Sequence, residues 1–308
     1  MLEDKSNIKA WFYLAPAMIL LIIFTFYPII NALFLVILKD FNYLQGTWQG
    51  FTLTENFVFV FRNQNFIQAI INTMLITFVS VPVSVVISLF ISVWLNSVLK
   101  TKGFFQTIFF LPYVTNTIAI GMAFAFLFNR NYGLINTMMG WVGLNPVNWV
   151  GLGATWGNAM FSLLIYVVWG SLAFKIMVFL SGLQNIDKQY YDAARVDSTK
   201  KGRIFRRITI PLLSPMIFYI TITSFIGAFK AYTEVIGMFG ERLGPPGNDR
   251  VLITIVALVY DSLDRSGVPG ALSEAAATAI VLFAITLFFT LINTRISKNR
   301  VHYAGGSK

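Results

Sequence analysis

The sequence predicts an all-α integral membrane protein with six transmembrane helices, and three observations carry that reading. Of 308 residues, 56% are hydrophobic and only 12% are charged, about half the charged share of a chain that presents its surface to water. The apolar residues gather into six runs, each long enough for the roughly 20 residues that a bilayer crossing takes. Lys and Arg then concentrate in alternate connecting segments, as the positive-inside rule requires. The same composition excludes a disordered chain, a secreted disulfide scaffold and a soluble enzyme. With no Cys, thiolate zinc sites and Cys nucleophiles are absent, and the single histidine, His302, leaves little for His-based catalysis or metal binding.

The runs are 12–38, 67–95, 104–128, 157–181, 209–236 and 271–295. All are predicted helical, because lipid offers no partner to an open sheet edge. The first run is too long for a signal-peptide core and no small-residue cleavage site follows it, so it stays as an anchor. With the N-terminus inside, the inner segments carry fifteen Lys and Arg, among them Lys5, Lys9, Lys100, Lys200, Lys201, Arg300 and Lys308, against six outside. Both termini are therefore expected on the cytoplasmic side of the membrane. The net charge of +10 is explained by topology and contact with anionic lipid, and no nucleic-acid partner is needed.

The connecting segments differ in kind. Outer loops 39–66, 129–156 and 237–270 are long and hold Gly, Pro, Trp and Asn, as in Gly244-Pro245-Pro246-Gly247-Asn248. Such turns present an ordered surface to a partner. The inner loop 96–103 is short, whereas residues 181–214 form an amphipathic inner segment of about 30 residues that membrane crossing does not require. Within it, Asp187 is the expected N-cap of a short helix reaching Asp197. At helical spacing Ile186, Tyr190, Ala193 or Ala194, and Asp197 share one side. Pro211 and Pro215 are expected to break the helix ahead of the fifth span. An ordinary interfacial helix with basic flanks accounts for this periodicity equally well.

The run Gly182-Leu183-Gln184, then Tyr191-Asp192-Ala193-Ala194-Arg195-Val196-Asp197, Phe205, Ile208 and Pro211-Leu212-Leu213-Ser214-Pro215 resembles the EAA loop of ABC-importer permeases of the maltose and glycerol-phosphate sugar type. Tyr13-Leu14-Ala15-Pro16, Tyr27-Pro28, Asn72-Thr73, Phe109-Phe110-Leu111-Pro112-Tyr113 and Gly133-Leu134-Ile135-Asn136 extend the likeness over nearly the whole chain. Two departures stand out: Asp192 replaces the usual Glu, and Ser198-Thr199 replaces the usual Gly-Ala, a loss expected to stiffen the turn.

The resemblance implies the type I ABC importer permease fold. Its parts are a tail, first helix and outer loop over 1–66, a five-helix core over 67–295 holding the coupling loop 185–215, and a cytoplasmic tail over 296–308. It implies a partner set as well: a second permease subunit, two copies of a cytoplasmic ABC ATPase, an extracytoplasmic solute-binding protein, a carbohydrate substrate, and lipid. Tyr191, Asp192, Ala193, Ala194, Asp197, Phe205 and Pro211 are the implied coupling residues. Small Ala193 and Ala194 allow close approach, while Asp192 and Asp197 can pair with bases of the ATPase. No Walker lysine motif occurs in the chain, so no cofactor is expected here and ATP with its Mg²⁺ belongs to the partner. Family pocket positions, matched by spacing, fall on Trp169, Ala173, Phe174, Lys175, Ser224, Ala228 and Ala231, with Phe225 and Tyr232 alongside and Asn116 near Pro112. Aromatic faces suit sugar C–H surfaces. For any one of these aromatics, helix packing or lipid contact is the simpler role.

Two cations lie inside predicted spans. Lys230 precedes Glu234 by four residues, a spacing that pairs them on one helix face. Lys175 lies about 12 Å from the inner boundary at 1.5 Å per residue, too deep for easy snorkelling. A cation at the centre of a helix in lipid costs on the order of 2.5–3.5 kcal/mol and faces a cavity or partner. Lys175 is expected either to pair with Glu234 or a carboxylate of the second permease, or to bind an acidic substrate. The expectation is an importer of a di- or oligosaccharide working by alternating access. The alternatives are a secondary transporter or channel not driven by ATP, for which neither an inverted repeat nor several intramembrane acids speak, and a structural permease half without substrate contacts.

Overall fold

The computed structural model describes residues 7–97 and 102–298. The orientation residues Lys5, Lys100, Arg300 and Lys308, and His302 with the tail beyond Lys298, lie outside the described residues. In chain order the helices are α1 (Asn7–Leu21), α2 (Tyr27–Leu35), α3 (Glu55–Arg62), α4 (Gln64–Ser97), α5 (Lys102–Val114), α6 (Thr117–Leu127), α7 (Leu134–Trp141), α8 (Trp156–Gln184), α9 (Lys188–Val196), α10 (Lys201–Ile204), α11 (Ile210–Ala228), α12 (Thr233–Phe239), α13 (Ile255–Asp264) and α14 (Ala271–Lys298). A two-stranded antiparallel hairpin, β1 (Leu38–Lys39) with β2 (Gly50–Phe51), sits between α2 and α3. Among the described residues five helices are long and apolar enough to cross a membrane: Lys9–Leu35, Gln64–Ser97, Trp156–Gln184, Lys201–Ala228 and Ala271–Ile296. They become six when the pair Gly103–Val114 and Thr117–Leu127, bent by 101°, counts as one span.

Two predicted spans depart from straight rods. The third, 104–128, breaks at Thr115–Asn116. The fifth begins at Lys201 and stops at Ala228, after which the chain turns and restarts as α12. Pro211 and Pro215 do not break it, against expectation. A π-helical turn, Phe205–Thr209, precedes Pro211, and its shifted pairing sends the Ile210 N–H to the Phe205 carbonyl, so the extra residue absorbs the ring that an α-turn would clash with. Pro215 frees the Pro211 carbonyl, which accepts from Ser214 Oγ at 2.7 Å. The first span repeats the device: a π-turn, Ile22–Phe26, ends two residues before Pro28.

Packing groups the residues up to Phe66 with Leu258–Val281, and Ile67–Ala257 with Leu282 onward. In the first unit, Asn56 is buried and donates to the Val36 and Leu38 carbonyls at 2.7 and 3.0 Å. Lys39 and Glu55 pair at 2.8 Å, and that carboxylate holds the Lys39 pKa above its ordinary value. The segment between the first and second spans is thus an ordered hairpin and helix.

In the second unit α4 carries a stripe of buried hydroxyls, Ser80, Ser84, Ser88 and Ser92, at the spacing that aligns one helix face. Small residues let helices approach closely in lipid. Ser92 Oγ accordingly reaches the Ile176 carbonyl of α8 at 3.1 Å, beside a cluster of Leu95, Ile176 and Leu180. A second cluster, Val81, Phe225 and Phe229, is flanked by Phe289. Asn72 holds the N-terminal part of α4: its amide donates to the Val251 and Ile253 carbonyls and its oxygen accepts from Trp156 Nε1 at 2.9 Å. Asn136 does the same for the segment between α6 and α8, bonding Arg130, Val147 and Trp149.

The two short helices left by the broken spans, α6 and α12, cross backbone to backbone. A Cβ added at Gly121 would stand 2.5 Å from the Gly237 carbonyl carbon, and one at Gly237 would stand 3.0 Å from Ile118 Cα. Gly121→Ala should therefore destabilise by about 1–3 kcal/mol, as overpacked sites do. Gly140→Ala, where nothing lies within 4 Å, should not. The melting temperatures of the detergent-purified proteins check this; equal values for the two variants would contradict the crossing.

Candidate functional site: a mid-span cavity and a short capped helix

Around the broken spans lies a cavity of about 400 Å³, within the range of small-ligand sites. Its walls come from four continuous or broken spans: Ser80 and Val81 of α4, Pro112 and Tyr113 of α5, Thr117 and Ile120 of α6, Tyr166, Val167, Gly170, Ser171, Phe174 and Lys175 of α8, and Thr223, Ser224, Gly227 and Ala228 of α11, with Ala231 and Glu234 from the turn and α12. Helix breaks make this space. Where α5 ends, Asn116 caps α6 by accepting from the Ala119 N–H at 3.2 Å. The Thr117 carbonyl at that break accepts from Tyr166 Oη at 2.6 Å.

Of the residues expected to meet substrate, Phe174, Lys175, Ser224 and Ala228 line this cavity, as does Ala231. Phe174 stacks on Tyr113 with centroids 5.9 Å apart and planes 20° from parallel. The rest stand elsewhere. Asn116 is occupied as a cap, Trp169 packs on Phe124 at 5.2 Å, Phe225 belongs to the aromatic cluster with Val81 and Phe229, and Tyr232 sits at the start of α12 with its N–H on Glu234 Oε2. Tyr166, Ser171, Thr117 and Thr223 are wall residues that spacing did not single out. Ser171 lies one turn before Lys175 and Thr223 is adjacent to Ser224, so a helical projection of the fourth and fifth runs would have found both.

The charges inside the spans behave differently from the simplest expectation. Lys230 and Glu234 do not share a helix face, because the chain breaks between α11 and α12. Lys175 is 4% exposed and its Nζ donates to the Ser171 carbonyl at 3.2 Å.

After the C-terminal end of α8 the expected short helix forms as α9. Asp187 is its N-cap, with its carboxylate accepting from the Gln189 N–H at 2.9 Å. Its C-terminus closes with the two bonds of a Schellman turn, Thr199 N–H to the Ala194 carbonyl and Ser198 N–H to the Arg195 carbonyl. Ser198 takes the left-handed conformation, φ 52°. Ala194 is the buried alanine, whereas Ala193, Asp192 and Asp197 are exposed. Tyr191 Oη lies 3.3 Å from Thr209 Oγ1. Phe205 stacks on Phe90 of α4 at 5.8 Å, and Pro211 opens α11. A cleft of about 710 Å³ lies between Tyr190, Ala193, Ala194 and Asp197 on one side and Arg203, Ile204 and Arg207 on the other. The helix therefore offers an open, small-residue groove with mixed charge, bonded and stacked onto the spans behind it.

Broken spans around a mostly apolar cavity with a few polar side chains, and a capped helix following the span that walls it, are the features to set beside known proteins. Residues 46–300 match the family of binding-protein-dependent transport system inner membrane components, and the chain belongs to it. It is 29% identical over 291 residues to the lactose transport permease LacF of Rhizobium radiobacter, covering 94% of each chain. It is 27% identical to the trehalose/maltose permease MalF of Thermococcus litoralis, covering 97% of each. The fold also matches a chain of a bacterial ABC transporter that imports the acidic polysaccharide alginate, with a TM-score of 0.77 over 96% of both chains at 20% identity.

Left-handed backbone costs an L-residue about 1–2 kcal/mol and glycine nearly nothing. Ser198→Gly should therefore slow hydrogen exchange of the Thr199 amide several-fold, and Ser198→Val should speed it, as mass spectrometry of the purified protein would show. Identical protection in all three proteins would contradict the strained cap.

Proposed function

We propose that this chain is the substrate-lining permease of an ATP-driven carbohydrate importer, taking up a di- or oligosaccharide by alternating access. The observation that carries the reading is the continuity of α8: it walls the cavity from Tyr166 to Lys175 and ends at Gln184, directly before the projecting α9. Movement imposed on α9 from the cytoplasm is thereby delivered to the cavity wall. The cavity suits a sugar, with hydroxyls from Ser171, Thr223 and Ser224 for hydrogen bonds and the Tyr113–Phe174 face for C–H surfaces. Relatives named for lactose and for trehalose/maltose transport support the substrate class.

In this reading the chain lies in the inner membrane of a prokaryote with both termini cytoplasmic and pairs with a second permease. Two ATPase copies bind below, each α9-type helix filling a cleft, and a solute-binding protein docks on the ordered outer loops. ATP and Mg²⁺ act in the ATPases, while this chain contributes the coupling surface and the pocket. Closure of the ATPase pair pushes α9, and the broken spans re-aim the cavity from one side to the other.

Ala193 is exposed on α9, so Ala193→Trp should overpack the ATPase cleft while leaving the chain inserted. Transport should fall at least 100-fold. Asp192→Lys and Asp197→Lys should each weaken ATPase retention on purification by placing like charges against a basic cleft. Uptake and co-purification at wild-type levels in all three variants would remove the coupling assignment.

A further inference from the structure

Lys175 occupies the middle of α8 with 4% of its surface exposed, and it lines the cavity. Its ammonium has three donors, and the hydrogen bond seen for it runs to a carbonyl of its own helix, Ser171 O, at 3.2 Å. Among the described residues no carboxylate lies within 4.0 Å of it. Glu234 shares the cavity but is held at its own turn by the Tyr232 N–H. The cavity thus presents a separated cation and carboxylate, so the internal ion pair that would make Lys175 merely structural does not form.

We infer that Lys175 determines specificity, and that the substrate is an acidic saccharide of the uronate or sialate kind whose carboxylate supplies the missing counter-ion. This deepens the importer reading above and rests on it. A neutral sugar offers only hydroxyl dipoles to a cation that burial has stripped of water, whereas a carboxylate matches it in charge. The ring then lies against the Tyr113–Phe174 face, and Glu234 accepts hydroxyl protons at the far side. Glu234 also decides against a phosphorylated sugar: the lining carries one formal positive and one formal negative charge, and a dianionic phosphate would leave that space strongly negative.

The test uses the complete complex, this chain with its second permease and ATPases, in lipid nanodiscs. Thermal shifts are read with sialyllactose and trigalacturonate, with the methyl esters of both, and with lactose, maltotriose and glucose 6-phosphate. At least one acid should stabilise the complex at concentrations tenfold or more below its ester. Lys175→Met should erase that difference and Lys175→Arg should keep it, with ATPase retention unchanged in both. Acid and ester acting alike, a preference for neutral or phosphorylated sugars, or a Lys175→Met complex that keeps the acid preference or loses its ATPase would overturn the assignment of Lys175 and leave the carbohydrate reading standing. No response to any saccharide would overturn the carbohydrate reading itself.

Discussion

Two helices can touch backbone to backbone only where neither carries a side chain, and the meeting of Gly121 with Gly237 is such a place. The cavity depends on it. On one side of the crossing Thr117, Ile120 and Glu234 face the cavity, and on the other Met122, Phe126 and Met238 line a separate cleft of about 390 Å³. Because α6 and α12 are short and held together at this point, the chain on either side is free to turn away. The turns at Thr115–Asn116 and between α11 and α12 then open space at mid-span, lined by Thr117, Ala231 and Glu234 among others.

A broken span in lipid must still satisfy its backbone groups. This protein does so with local side chains and altered turns. Asn116 caps one break, Thr115 Oγ1 donates to the Leu111 carbonyl of the helix before it, Tyr166 ties the Thr117 carbonyl beside it to α8, and Ser214 takes up the carbonyl freed by Pro215. The π-turns ahead of Pro28 and Pro211 keep the helix running through prolines that would otherwise stop it. The consequence is mechanical: the fifth span stays continuous from Lys201 to Ala228, so Arg203, Ile204 and Arg207 of the cleft beside α9 and Ser224 and Ala228 of the cavity wall stand on one continuous helix.

Much of this was legible in residue order. The spans follow from the apolar runs, the Asp187 cap from its position ahead of an amphipathic stretch, and the cavity positions of Phe174, Lys175, Ser224 and Ala228 from family spacing. The breaks were missed although Thr115-Asn116-Thr117 and Lys230-Ala231-Tyr232-Thr233-Glu234 mark them, because the runs 104–128 and 209–236 are apolar on both sides; hydropathy summed over a run reports solubility in lipid, not where a helix bends. The same blindness led Pro211 and Pro215 to be read as breakers and Lys230 with Glu234 as a pair, since both inferences assume an ideal α-helix. Asn116 and Tyr232 were placed near the pocket by spacing that the breaks then altered. The left-handed Ser198 was half legible: it stands where the resemblance to an EAA loop implies glycine, and the backbone there takes φ 52°.

The central claim is that the inward faces of α8 and α11 surround water at mid-span. Because the chain has no cysteine, single cysteines at Ser171 and Ser224 in the cavity wall, and at Phe283 and Leu291 on the exposed apolar face of α14, can be compared directly in membranes with a charged, water-soluble methanethiosulfonate reagent. The account predicts rapid modification of the first two and slow modification of the others. Equal protection at all four positions would contradict it.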